Sequence, residues 1–118
     1  MVRDLVSLAH RYFAALNAFD LATAEAMYAE DATYHSRFVG TLAGRKAIFK
    51  AFRQYFAEYS DQSAATESVE LFEPNAVRTH WRLTATAKST GLPLVRRGSE
   101  RITFDANGLI ARVEVEDQ

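Results

Sequence analysis

The chain has 118 residues, 48% of them hydrophobic and 25% charged, which suits a single folded domain over residues 1–118 and argues against disorder. Fourteen basic and fifteen acidic side chains give a net charge of -1 without any Lys/Arg run, so nucleic-acid binding has no electrostatic footprint. With no cysteine, disulfides and thiol catalysis are excluded, and a zinc site would have only His and carboxylates to draw on.

The opening stretch "MVRDLVSLAHRYF" reads as an amphipathic helix, with Leu5, Leu8, Ala9, Tyr12, Phe13 and Leu16 recurring at three- and four-residue spacing. Asp4 and Arg11 break any signal-type apolar run, and no stretch reaches the roughly 20 apolar residues that a membrane span needs. Asp20 is the expected N-cap of a short second helix carrying Leu21, Ala24, Met27 and Tyr28. "ATYHSRF" then switches to a strand pattern, "GTLAG" reads as a loop, and Gly44 leads into a third helix with Ile48, Phe49, Phe52, Phe56 and Tyr59 on one stripe. Beyond Ser60 everything reads as strand: about 63–73 up to the turn "EPN", about 76–88 up to "STGLP", about 95–104 up to "DANG", and 109–116. Asn107-Gly108 is a strong hairpin signal. Three helices and a mostly antiparallel sheet make an α+β fold.

Alternation along these strands separates two faces. Trp81, Leu83, Ala85 and Ala87 share one side with Gly98, Ile102, Phe104, Val113 and Val115, and this side should meet the helices. Arg78, His80, Arg82, Arg97, Arg101, Arg112, Glu114 and Glu116 share the other. Glu100 falls on the apolar side, where an unpaired carboxylate is costly. Either a partner such as Arg or Tyr satisfies it, or it borders a cavity. The small side chains Ala85, Ala87 and Gly98 on the same face point to a void between sheet and helices.

The element order and three stretches, "YFAALNAFDLATAEAMYAEDATYHS", "GTLAGRKAIFKAF" and "ERITFDANGLIARVEVED", resemble the nuclear-transport-factor-2-like (cystatin-like) superfamily in its SnoaL-like polyketide cyclase and ketosteroid-isomerase-like branch. The resemblance covers nearly the whole chain. It implies a cone in which three helices pack on a curved sheet around an internal pocket. It also puts Tyr12 where the isomerases carry an oxyanion-donating tyrosine, and Glu100 where they carry a protonated acid. Ser36 stands where they carry the general-base Asp, and Phe52 where many of them have a further tyrosine.

The candidate catalytic residues are therefore Tyr12, His35, Glu100 and Asp117. Tyr12 and neutral Glu100 would hold an enolate-like oxygen, and His35 or Asp117 would accept the proton. Strand alternation sends His35 away from Ser36, so only a bulge or the strand's end would bring it inward; otherwise it is an edge residue. Asp117 follows the inward parity of Val113 and Val115, or else is a solvated carboxylate. Ser36, Tyr28, Phe52, Phe56, Trp81, Leu83, Ile102 and Val113 are the expected ligand-binding residues, suited to a hydrophobic ring-bearing molecule. No phosphate-loop, "GxSxG" or metal-ligand pattern is present. With Tyr12 and Glu100 in these places, the resemblance implies isomerase, cyclase or dehydratase chemistry with no metal or organic cofactor. The alternative is a non-catalytic binding or dimerisation module, favoured by the missing base at Ser36. The resemblance further implies a homodimer through the charged outer sheet face. Eleven of the fourteen basic residues are Arg and alanine is frequent, which suits a bacterial origin; the cytoplasm is the expected location.

Overall fold

The computed structural model describes residues 4–118, so the first three residues of the predicted N-terminal helix lie outside the described residues. Helix α1 spans Leu5–Asn17 and is capped by Asp4, whose carboxylate accepts from the Ser7 amide at 3.0 Å and the Ser7 hydroxyl at 2.8 Å. Leu5, Ala9 and Tyr12 form its buried stripe. Asp20 caps α2 (Leu21–Ala26) in the same way through Thr23, as its position before an apolar run predicts. Strand β1 (Tyr28–Ser36) follows, then β2 (Gly40–Ala43) and α3 (Arg45–Glu58). Four strands complete the chain: β3 (Ser63–Glu73), β4 (Ala76–Thr86), β5 (Pro93–Phe104) and β6 (Ile110–Asp117). No helix among the described residues is long and apolar enough to cross a membrane.

The six strands form one open mixed sheet in the order β2-β1-β6-β5-β4-β3, antiparallel throughout except where β1 runs parallel to β6. Three helices pack on its apolar face, an α+β arrangement. Tyr12, Tyr28, Phe49, Ile102, Ile110 and Val113 form the fully buried centre.

Three local expectations need correction. Tyr28 opens β1 and is not part of α2. "GTLA" is an edge strand rather than a loop, paired with β1 from Thr33↔Ala43 to Ser36↔Gly40. Its four residues are too few for periodicity to register. Gly98 does not leave a void either. A Cβ there would overlap the Glu116 carbonyl oxygen and stand 3.1 Å from Trp81 Cζ2, so the bare glycine lets the indole and β6 close onto β5.

Candidate functional site

A cavity of about 100 Å³ lies between α1, α3 and the inner face of the sheet. Its walls are Phe13 and Leu16 of α1, Phe52 and Phe56 of α3, and Trp81 and Leu83 of β4. Helical spacing puts Phe52 and Phe56 on one stripe, and strand alternation puts Trp81 and Leu83 on one face. Its polar groups come from Tyr34, Tyr55, Gln62, Arg96 and Glu100, together with Asn17 and Thr66.

Glu100 sits on β5 opposite Thr79 of β4 and Val115 of β6, and is 9% exposed. Its main-chain carbonyl accepts from the Thr79 hydroxyl at 3.5 Å, whereas its carboxyl has no hydrogen-bond partner among the described residues. Loss of water pushes its pKa up to about 8, with the charge of Arg96 acting in the opposite direction. That shift favours the undissociated acid at neutral pH. Beside it Tyr34, its ring 5.1 Å from that of Phe52, is held un-ionised chiefly by burial and then by the proximity of Glu100.

Arg96 adds a guanidinium to this apolar wall. Its Nε and Nη2 donate to the two oxygens of Asp117, each at 2.8 Å. The guanidinium lies 4.2 Å over the Phe38 ring and 5.2 Å from that of Trp81. Burial works against its charge, but the Asp117 carboxylate outweighs that and keeps Arg96 cationic. Tyr55 donates its hydroxyl to Gln62 Oε1, and burial raises its pKa while Arg96 opposes the rise.

Among the residues expected in the pocket, Glu100, Phe52, Phe56, Trp81 and Leu83 line the cavity. Tyr12 and Tyr28 do not. Their hydroxyls bond each other at 2.6 Å inside the core, each un-ionised because it is buried, and Ile102 and Val113 pack with them outside the lining. Ser36 is a correction: its hydroxyl accepts from the amides of Phe38 and Val39 at 3.1 and 3.3 Å, so it fixes the β1–β2 turn and borders no part of the cavity. His35 is another, because it opens onto the opposite face of the sheet. The irregularity in β1 lies between Tyr28 and Thr33, upstream of His35, and regular alternation then carries the imidazole outward. Asp117 is bound to Arg96 rather than free as a base.

Arg96, Tyr34 and Tyr55 were not anticipated. Each had a signal: Arg96 and Gly98 share parity with Glu100, Tyr34 shares it with Ser36, and Tyr55 lies one turn along α3 from Phe52. On the outer face, a polar groove of about 790 Å³ runs between His35, Arg78, Ser99, Arg101, Arg112 and Glu116. Among the described residues, no three His, Asp or Glu side chains converge as metal ligands.

Comparison with known proteins gives a consistent result. The SnoaL-like domain family matches residues 9–113. No curated protein matches the sequence. Among solved structures, the chain is similar to Bal32a from a soil-derived mobile gene cassette, with 26% identity, a TM-score of 0.85 and 96% and 88% of the two chains covered. It is also similar to RV0760c from Mycobacterium tuberculosis, solved in complex with estradiol-17beta-hemisuccinate, at 16% identity and a TM-score of 0.82 over 96% and 93% of the chains. An NTF2-like protein of unknown function from Exiguobacterium sp. 255-15 has 15% identity and a TM-score of 0.82, over 93% of this chain and 97% of that one. At the last two identities the likeness is one of fold.

Proposed function

Because the chain belongs to the SnoaL-like domain family, we propose that its cavity binds a small hydrophobic ring compound bearing an oxygen acceptor, and that Glu100 acts on it by acid–base chemistry without a metal or organic cofactor. The observation that carries this reading is Glu100 itself: a buried carboxyl on an apolar wall, its pKa pushed up by loss of water, with no hydrogen-bond partner among the described residues. Facing a ligand carbonyl, it donates a hydrogen bond that strengthens as negative charge grows on the oxygen. The carboxylate left after proton transfer is basic enough to take a proton back from carbon beside a carbonyl, because its pKa lies near the working pH. One group can thus serve both halves of an isomerisation, or of the proton transfers in a cyclisation or dehydration. The steroid bound to RV0760c supports a hydrophobic ligand class. The volume of about 100 Å³ argues for a smaller one here, since drug-sized ligands occupy roughly 300 Å³ or more.

A second reading, a non-catalytic binding module, is favoured by one observation. Among the described residues no carboxylate or imidazole other than Glu100 borders the cavity, so a separate base is missing there. The same proposal includes a homodimer through the outer face of the sheet, supported by Arg82 and Arg97, which have no ion-pair partner among the described residues, and a bacterial cytoplasmic setting, supported by the Arg- and Ala-rich composition.

Phenol titration tests the site, because Trp81 is the only tryptophan and lines the cavity. Saturable quenching in the wild type, weakened about tenfold in Glu100→Leu, is the expected result; equal affinity in the two proteins would remove Glu100 from the site.

A further inference from the structure

Arg96 is the charged group of the cavity that the acid–base reading leaves unused. Its side chain is only 10% exposed and contributes to the lining, whereas its partner Asp117 is 28% exposed and lies outside it. The cavity therefore holds the positive member of the pair and not the negative one. Asp117 occupies Nε and Nη2, which leaves Nη1 without a carboxylate, and Phe38 and Trp81 fix the plane of the guanidinium. Beside it the Trp81 indole nitrogen is buried with no hydrogen-bond partner among the described residues, the residue being only 7% exposed.

The Gln62 oxygen already accepts from Tyr55, which leaves its amide nitrogen, and the hydroxyls of Tyr34 and Thr66 and the Glu100 carboxyl can donate as well as accept; Arg96 and Trp81 can only donate. A ligand filling this end must bring acceptors, and next to a buried guanidinium a charged acceptor is favoured over a neutral one.

Resting on the reading that the cavity binds a hydrophobic ring, we infer that Arg96 and Trp81 form an oxyanion subsite, so that the ligands taken are single-ring compounds carrying a delocalised oxygen anion, a carboxylate or a phenolate. The ligand is limited to at most one ring because the cavity measures about 100 Å³, below the roughly 150 Å³ of a closed cavity that holds benzene. The ring lies among Phe52, Phe56 and Leu83, and the anion meets Arg96 Nη1 and the Trp81 N–H.

Quenching of Trp81 by benzoate and by its neutral analogue benzyl alcohol, both at pH 6.5, tests the subsite. Benzoate is expected to bind at least tenfold more tightly, and 4-nitrophenolate against 4-nitroanisole at pH 8 reports whether a phenolate serves as well as a carboxylate. In Arg96→Met the preference for the anion should disappear. Should that variant not fold, the wild-type ratio decides alone. Equal binding of benzoate and benzyl alcohol, or a preference that survives in Arg96→Met, overturns the subsite and leaves the acid–base reading standing. Quenching by neither compound overturns both.

Discussion

The Glu100 carboxyl meets no donor among the described residues, and loss of water alone carries its pKa from an ordinary 4.5 up to about 8 against the field of Arg96. Between those two values the folded chain holds a proton that the unfolded chain releases. Stability from the neutral form is complete below about pH 4.5 and is lost as the pH rises through about 8, at up to about 1.4 kcal/mol per pH unit where the slope is steepest. Glu100→Gln keeps the shape and cannot ionise, so its urea-unfolding free energy should stay flatter than the wild type's from pH 5 to pH 8. Parallel profiles for the two proteins would mean that Glu100 is ionised in the fold. Glu100 was legible in the sequence because one carboxylate among Gly98, Ile102 and Phe104 breaks an apolar alternation. Arg96, on the same parity, was not. What holds it inside is Asp117 from another strand and Phe38 from a turn, and neither is a neighbour in sequence.

Strand β5 carries the polar end of the cavity, and Gly98 sets how near its neighbours come. It pairs with Trp81 on one side and Asp117 on the other. An added Cβ would meet main-chain oxygen of Glu116, which cannot rotate away as a side chain can, so β6 would have to shift outward. Gly98→Ala should therefore cost about 1–3 kcal/mol in urea unfolding and loosen the Arg96–Asp117 contact, seen as a red-shifted Trp81 emission. An unchanged midpoint and spectrum would show that β6 yields without cost. Element boundaries divide along similar lines. The long periodic helices and the four C-terminal strands could be read from the sequence, because their periods repeat several times. Strand β2 exists because β1 offers an unpaired edge, and a segment's period carries no record of that. The outward turn of His35 depended on where β1 departs from regular pairing, and only the register with β6 reveals it.

On the scale of the molecule, α+β order and a sheet with one apolar face followed from the sequence, but cavity volume did not, since it depends on how α1 and α3 seat against β3 and β4. The remaining large feature is the outer face. There the pairing sets Arg78 opposite Arg101 and Arg82 opposite Arg97, and directly opposed like charges in a sheet are unfavourable. Glu73 relieves Arg101, Phe72 lies 4.0 Å beneath the Arg78 guanidinium, and Glu114 holds Arg112 at 3.1 Å. Arg82 and Arg97 have no ion-pair partner among the described residues. A second copy laid face to face would bring its Glu114 and Glu116 to this surface, so a two-fold pairing turns repulsion within each sheet into attraction between sheets. Sedimentation should then give twice the 13.2 kDa chain mass, with dissociation favoured as salt shortens the Debye length. Ser99 pairs with His80 and Glu116 and borders the groove, so Ser99→Arg adds one more positive charge to the surface that must meet its copy. That variant should be monomeric while still binding phenol. A wild type that sediments as a monomer at every concentration and salt would mean that water, not a second sheet, covers the arginines.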